Sequence, residues 1–325
     1  MKSRIIGTGS YTPEKVLTNY DLEKIVDTNH DWIVTRTGIE ERHIAAEGEF
    51  TSDLAAIAAK RALDAAGLSA EEIDLIVVGT ITGDYPWPAT ACVVQAKLGA
   101  KNAYAYDVSA ACSGFLFALA NADDYLIAGR GKKALVIGAE TFSRSLDWTD
   151  RNTCVLFGDG AGAVVLEAQD GDAGVLASHL HTDGNHIELL YQPGFGAVYP
   201  ASAEGLEKRL PYLKMQGNEV YKFAVRMMTE VSKAVLKEQG FRCADVDLFI
   251  PHQANIRILE ATAKRLKLTD DQCFINVQKY GNTSAATIPI AIDEAQREGR
   301  LKEGNLLLLA AFGGGFTWGG TLVRW

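Results

Sequence analysis

The sequence predicts an α/β protein made from one unit used twice, and three observations carry that expectation. Amphipathic helical segments alternate with short apolar runs such as LIVVGT (75–80), ALVIGA (134–139) and NLLLLAAF (305–312). That is the pattern of buried, mainly parallel strands covered by helices. A shift of 173 residues lays 58–80 over 231–253, so that Lys60 meets Lys233, Leu63 meets Leu236, Gly67 meets Gly240, and Asp74-Leu75 meets Asp247-Leu248. At other offsets, KKALVIGAE (132–140) resembles GNLLLLAAF (304–312), and FGDGAGAVVLE (157–167) resembles FGGGFTWGGTLVR (312–324), in the same order. The expected halves are residues 1–170 and 171–325.

In each overlaid copy an amphipathic helix ends at a glycine, because a left-handed C-cap suits a residue without Cβ. A short acidic turn and a buried strand follow. The second copy's strand runs into His252 where the first has Gly79. Next in the first copy, DVSAACSGFLFALANADDYLIAG reads as a strand ending near Ser109 and a helix of about 17 residues running from Cys112 towards Gly129. In the second copy KYGNTSAATIPIAIDEA (279–295) takes the same strand-to-helix place. Residues 181–217 are the least periodic and hold three of the eight prolines. So long a loop in a compact domain is usually a lid or a tunnel wall.

Composition narrows the function. Residues that are 47% hydrophobic and 22% charged over 325 positions describe a globular chain, neither disordered nor fibrous. With 32 basic against 41 acidic side chains, the net charge of −9 argues against a nucleic-acid partner. Five cysteines without a CxxC make a disulfide framework or a zinc ribbon improbable, and reduced thiols are expected. The opening MKSRIIGTGSYTP is no signal peptide, and no apolar run approaches a membrane span, so a cytoplasmic protein is expected.

Cys112 is the candidate nucleophile. A helix start presents unpaired N–H groups and the positive end of the helix dipole, which is expected to lower the thiol pKa. Small neighbours (Ala110, Ala111, Ser113, Gly114) leave room for a substrate carbonyl. Cys92, Cys154, Cys243 and Cys273 lack that setting and read as inert. His252 ends a strand at a sheet edge of the kind where sites gather; the competing reading is a structural histidine. Asn282 is placed at the second helix start, facing the same point and offering donors to an oxyanion, with a helix cap as the alternative. The cluster His179, His181, His186 lacks a carboxylate motif and gives no metal site. GTGSYTP and FGDGAG have the wrong context for nucleotide phosphates. The glycines of FGGGFTWGG suit close backbone approach to a site.

AACSGF, PHQAN and GNTSAA, in that order in a duplicated chain ending FGGGFTWGGTLVRW, resemble β-ketoacyl-acyl carrier protein synthase III. The resemblance runs from TRTGIEERH (35–43) to the last residue. It implies a thiolase-like fold, two five-stranded halves in a five-layer αβαβα stack, and a homodimer. It also implies a Cys112-His252-Asn282 triad with oxyanion N–H groups at Cys112 and Gly314. Implied CoA contacts are Thr28, Trp32, Arg36, Thr37, Arg151, Asn152, Met215, Gly217, Ala254 and Asn255, with Trp32 and Arg151 sandwiching the adenine. No permanently bound cofactor is expected, since acyl-CoA is a substrate. Trp87 is implied to cross the dimer and floor the acyl pocket. Arg257, Lys264 and Arg265, on one helix face, are implied to dock acidic acyl carrier protein. The implied reaction is decarboxylative condensation of a short acyl-CoA with malonyl-carrier protein, starting fatty-acid synthesis. The second reading is an acyltransferase or condensing enzyme of secondary metabolism with the same triad.

Overall fold

The computed structural model describes residues 1–325. Nine strands form two sheets: β1 (Lys2–Tyr11), β2 (Leu75–Gly79), β3 (Tyr104–Val108), β4 (Lys133–Thr141), β5 (Asp159–Gln169), β6 (Gly174–Thr182), β7 (Leu248–Pro251), β8 (Leu306–Gly313) and β9 (Thr317–Arg324). Seven helices matter to the site: α1 (His30–Thr37), α2 (Thr51–Ala66), α3 (Thr90–Leu98), α4 (Gly114–Ile127), α5 (Gly217–Glu238), α6 (Ile256–Leu266) and α7 (Thr287–Arg297). The overlaid segments become equivalent elements. Helix α2, Gly67 (φ 67°), a 3-10 turn at Ala70–Glu72 and β2 correspond to α5, Gly240 (φ 76°), a turn at Cys243–Asp245 and β7.

The layers follow from strand alternation. Leu75 and Val77 of β2 face the centre with Val136 and Val164, while Ile76 and Val78 face outward with Leu135 and Val165. The central core also takes Phe115 and Leu119 of α4, Ile288 and Ala291 of α7, and Ile250 and Leu309 of the second sheet. Thus α4 and α7 lie between the sheets. Helices α2 and α3 cover the outer face of the first sheet, and α5 and α6 that of the second. This is the five-layer stack that the resemblance implies.

Two details differ from expectation. The sheets are mixed, not mainly parallel. The first runs β1-β5-β4-β2-β3, with only β4-β2-β3 parallel; in the second, β7-β8-β9-β6, only β7 and β8 are parallel. The segments joining β4 to β5 and β8 to β9 contain no crossover helix, so these neighbours return antiparallel. The second sheet also has four strands rather than five. Beside β7, Cys273 makes a single bridge with Phe249, and the Phe274 N–H donates to the Phe249 carbonyl at 3.0 Å. The side chain of Gln253 then replaces the ladder. Its Oε1 accepts the Asn276 N–H at 3.0 Å, and its Nε2 donates to the Pro251 and Phe274 carbonyls at 2.8 and 3.1 Å.

Glycines let the layers touch backbone to backbone. A Cβ on Gly79 would stand 2.6 Å from the Gly114 carbonyl carbon at the start of α4, and one on Gly138 of β4 would run into the Ala285 carbonyl oxygen. Neither neighbour is a flexible side-chain end. Gly138→Ala is therefore expected to lower stability by about 1–3 kcal/mol through overpacking. Gly184→Ala, where a Cβ meets nothing within 4 Å, is expected to change it by less than about 0.5 kcal/mol. Denaturant midpoints of the two variants check this, and equal midpoints would contradict it.

Candidate active site

Cys112 sits in a 3-10 turn (Ala111–Ser113) between β3 and α4, and Ala111 enters that turn with φ 46°. The hairpin between β8 and β9 holds the turn. Ser113 Oγ donates to the Thr317 carbonyl at 3.0 Å, and Thr317 Oγ1 to the Ala110 carbonyl at 2.8 Å. Gly313 lets the hairpin approach, since a Cβ there would lie 2.7 Å from the Cys112 nitrogen. No backbone carbonyl accepts the Cys112 or the Gly314 N–H. The pair expected to hold an oxyanion is thus not tied up in the backbone hydrogen-bond network.

The second half supplies a matching turn, Ser284–Ala286, entered with Ser284 at φ 50°. The shift of 173 residues that relates the halves carries Ala111 onto Ser284. It carries Cys112 onto Ala285, so Asn282 precedes the turn and does not stand at the helix start. Its Oδ1 accepts the Ser284 N–H at 2.8 Å. The cap reading and the donor reading therefore coexist: capping consumes the oxygen and leaves Nδ2 to donate. Backbone bonds pin the residue, Asn282 N–H to Leu156 at 2.8 Å and Gly158 N–H to Asn282 at 3.1 Å.

His252 follows Pro251 at the end of β7, and its N–H donates to Ala310 at 2.8 Å. Its Nδ1 lies 2.7 Å from Thr287 Oγ1 at the start of α7. Thr287 Oγ1 also lies 3.1 Å from the Ser284 carbonyl, which accepts the Thr287 backbone N–H as well; the imidazole proton sits on Nε2 when the hydroxyl donates to Nδ1, and on Nδ1 when the hydroxyl donates to that carbonyl. Burial pushes the imidazole down to about 3, so it is neutral at physiological pH.

Cys112, His252 and Asn282 line one cavity of about 330 Å³, with Phe157 and Phe312 among its apolar walls. Trp32, Arg36, Thr37, Asn152, Met215, Gly217, Ala254, Asn255 and Arg257 also line it. Helix α1 presents the first three because Asn29 caps Trp32 N–H at 2.8 Å and Gly38 ends the helix at φ 75°. Asn255 caps α6 through the Arg257 N–H and donates from Nδ2 to the Arg36 carbonyl at 3.0 Å. Thr28 and Arg151 are not in the lining. Thr28 Oγ1 is buried without a hydrogen-bond partner. The Arg151 guanidinium lies 5.3 Å from the Trp32 ring centroid, and that of Arg36 4.6 Å. The expected sandwich pair is already stacked on itself, so a planar base between Trp32 and Arg151 requires the two to part.

A second cavity of about 130 Å³ opens from Cys112 between Ile81, Thr82, Phe142, Phe157, Leu190, Leu213 and Gly314. Its wall is partly the irregular 181–217 segment, which is held down by the Arg209–Asp147 ion pair and by Leu213 N–H to Ser145 at 2.9 Å. Trp87 lies outside both cavities and is 84% exposed. Arg257, Lys264 and Arg265 are exposed on α6. The three clustered histidines take separate partners: His179 pairs with Glu238, His181 stacks on Trp318, and His186 packs on Phe223.

The thiol departs from expectation. Burial pushes Cys112 up to about 12, outweighing the hydrogen bond from Ser284, and nearby Glu140 adds to the rise. The unliganded site therefore holds a neutral thiol, because a dry pocket disfavours the thiolate more than the helix start favours it. Sequence reasoning missed three further residues, Glu140, Ser284 and Thr287. Glu140, next to last in β4, is fully buried, and burial pushes its carboxyl up to about 7 despite several donors. The signal for Ser284 and Thr287 lay in GNTSAAT itself. Glu140 had none beyond being an acid in an otherwise apolar strand.

The family description "3-Oxoacyl-[acyl-carrier-protein (ACP)] synthase III" matches residues 106–184, and its C-terminal counterpart matches 236–325. The chain is 53% identical over 321 residues to a protein named beta-ketoacyl-[acyl-carrier-protein] synthase III from Caldanaerobacter subterraneus subsp. tengcongensis, covering 99% of this chain and 97% of the relative. It is 55% identical over 328 residues to one of that name from Xanthomonas campestris pv. campestris, covering 99% and 98%. The crystal structure of 3-oxoacyl-[acyl-carrier-protein] synthase III from Aquifex aeolicus VF5 superposes with a TM-score of 0.92 at 51% identity, covering 99% of this chain and all of that one. On fold, site and full-length identity together, the chain belongs to the 3-oxoacyl-[acyl-carrier-protein] synthase III family.

Proposed function

We propose that this enzyme joins a short acyl-CoA, acetyl-CoA first among them, to malonyl-acyl carrier protein, giving 3-ketoacyl-carrier protein, CoA and CO2 at the start of fatty-acid synthesis. The observation that carries the reading is the meeting of Cys112, His252 and Asn282 in one cavity. Cys112 attacks the acyl-CoA thioester while its own N–H and that of Gly314 hold the oxyanion. CoA leaves along the side lined by Trp32, Arg36 and Asn255, and the acyl group rests in the 130 Å³ apolar cavity, which suits a short chain. Malonyl-carrier protein then enters. Nε2–H of neutral His252 and Nδ2–H of Asn282 donate to its thioester oxygen as CO2 departs. The enolate they stabilise attacks the acyl-Cys carbonyl. Relatives at 53–55% identity named synthase III support this over a secondary-metabolism role.

The CoA set includes Thr28 and Arg151 once Arg151 swings off Trp32. The halves 1–170 and 171–325 contribute the nucleophile and the two donors respectively. Apolar side chains exposed at Tyr85, Trp87, Val198 and Tyr199 support a homodimer in which Trp87 of one copy closes the other's acyl pocket. No helix is long and apolar enough to cross a membrane, and a cytoplasmic location accords with the substrates. Arg257, Lys264 and Arg265 offer an acidic carrier protein a cationic helix face beside the cavity mouth.

His252→Ala and Asn282→Ala are each expected to slow condensation about 10²–10³-fold, the usual cost of one such donor. Acetylation of Cys112, followed by intact mass, should persist in both; loss of acetylation would contradict the division of labour. Lys264→Glu combined with Arg265→Glu is expected to raise KM for malonyl-carrier protein about tenfold while acetyl-CoA loading is unchanged. Equal loss of both steps would remove the docking assignment.

A further inference from the structure

Resting on the acyl-transfer reading above, we propose that Glu140 is a positioning residue that limits the length of acyl chain the enzyme accepts, by holding Ile81 and Thr82 against the acyl cavity. Those two residues line the 130 Å³ cavity that opens from Cys112, whereas Glu140 does not line it. They follow β2, whose last residue, Gly79, is also the last to pair with neighbouring strands. Past that point the sheet gives little support. Thr80 N–H reaches the Val108 carbonyl at 3.2 Å, but no backbone carbonyl accepts the N–H of Ile81 or Thr82. Both donate to the Glu140 carboxylate, at 3.2 and 3.0 Å, and it also accepts from Thr80 Oγ1 at 3.1 Å and from the Thr82 hydroxyl. The donors of three consecutive residues thus converge on one side chain.

Glu140 is itself anchored. It is fully buried, and Ser284 Oγ, in the turn packed against Gly138, donates to it at 3.1 Å. Burying a carboxyl group is costly unless its oxygens are hydrogen-bonded, so the donors and the acid hold each other in place. The grip matters most at Ile81. Thr82 has further ties to Thr51, Thr80 and Thr141, whereas the Ile81 backbone has no hydrogen-bond partner except Glu140. An acyl chain too long for the cavity presses on Ile81, and moving that residue breaks the bond and strands a buried acid. An acetyl group makes no such demand. A hexanoyl group, four methylenes longer, does.

The test compares the rates at which acetyl-CoA and hexanoyl-CoA acylate Cys112 in the full-length protein, followed by intact mass. Glu140→Met keeps the length of the side chain and removes both acceptor oxygens. Glu140→Gln keeps one oxygen for the donors of Thr80, Ile81 and Thr82, and turns its amide N–H to the Ser284 hydroxyl, which can accept it. The wild type should load acetyl in preference to hexanoyl. Glu140→Met should raise the hexanoyl-to-acetyl rate ratio about tenfold, the scale on which a pocket discriminates added methylenes. Glu140→Gln should keep the wild-type ratio. A merely structural role would slow both acyl-CoAs alike and leave the ratio where it was. Should Glu140→Met fail to fold, Thr80→Val combined with Thr82→Val removes two of the donors and should raise the ratio about threefold. An unchanged ratio in the variant that folds, an equal rise in Glu140→Gln, or a wild type that loads both thioesters alike overturns the proposal. No acyl group on Cys112 from either thioester would instead remove the acyl-transfer reading beneath it.

Discussion

Everything chemical in this protein depends on two backbone turns being pressed together at the pseudo-symmetric centre of the five-layer stack. Ala111 and Ser284 enter those turns with left-handed backbone at φ 46° and 50°, a conformation that costs energy for residues with a Cβ. Tight surroundings hold them there: Gly79 against Gly114, Gly138 against Ala285, Gly313 against Cys112. Each glycine removes the atom that would keep the layers apart. The strain and the glycines together bring a thiol from one half and an amide from the other to one cavity. Neither half alone contains the site.

That packing also sets the electrostatics. The site is dry enough that Cys112 rests as a thiol and His252 as a neutral imidazole. In such a medium an uncharged donor aimed at a developing oxyanion is worth more than in water, and it need not be reorganised when the charge appears. In the proposed reaction the substrate brings the charge, and the N–H groups of Cys112, Gly314, His252 and Asn282 are the donors assigned to it. Leu190 and Leu213, from the irregular 181–217 segment, extend the dry surface around the short apolar cavity.

The legible parts of this structure were those encoded locally. The duplication showed in the shared helix–glycine–strand rhythm, because a left-handed cap and a buried strand each leave a mark in a few consecutive residues. AACSGF, PHQAN and GNTSAA marked the residues that meet in the cavity. What stayed hidden depends on distant neighbours. The strand directions turned on which connections lack helices, and the missing fifth strand turned on the Gln253 side chain occupying its ladder. The rise in the Cys112 pKa is a sum over everything packed around it, and the helix-start argument saw only one contribution. Glu140 lies 144 positions from Ser284 in sequence, so nothing in GAE points to GNTSAA. Trp87 fills no pocket of its own chain, and a single sequence or a single copy reveals only that it is exposed.

The central claim is that the two turns make one acyl-transfer centre with Cys112 as the carrier of the acyl group. The most direct measurement is intact-mass and peptide mapping of the wild-type protein after acetyl-CoA, and again after malonyl-acyl carrier protein. The account predicts one acetyl group, located on the peptide containing Cys112. On the second addition that group should disappear as 3-ketoacyl-carrier protein and CO2 appear in equal amount. An acetyl group on another residue, or an acetyl-Cys112 that malonyl-carrier protein does not discharge, would contradict it.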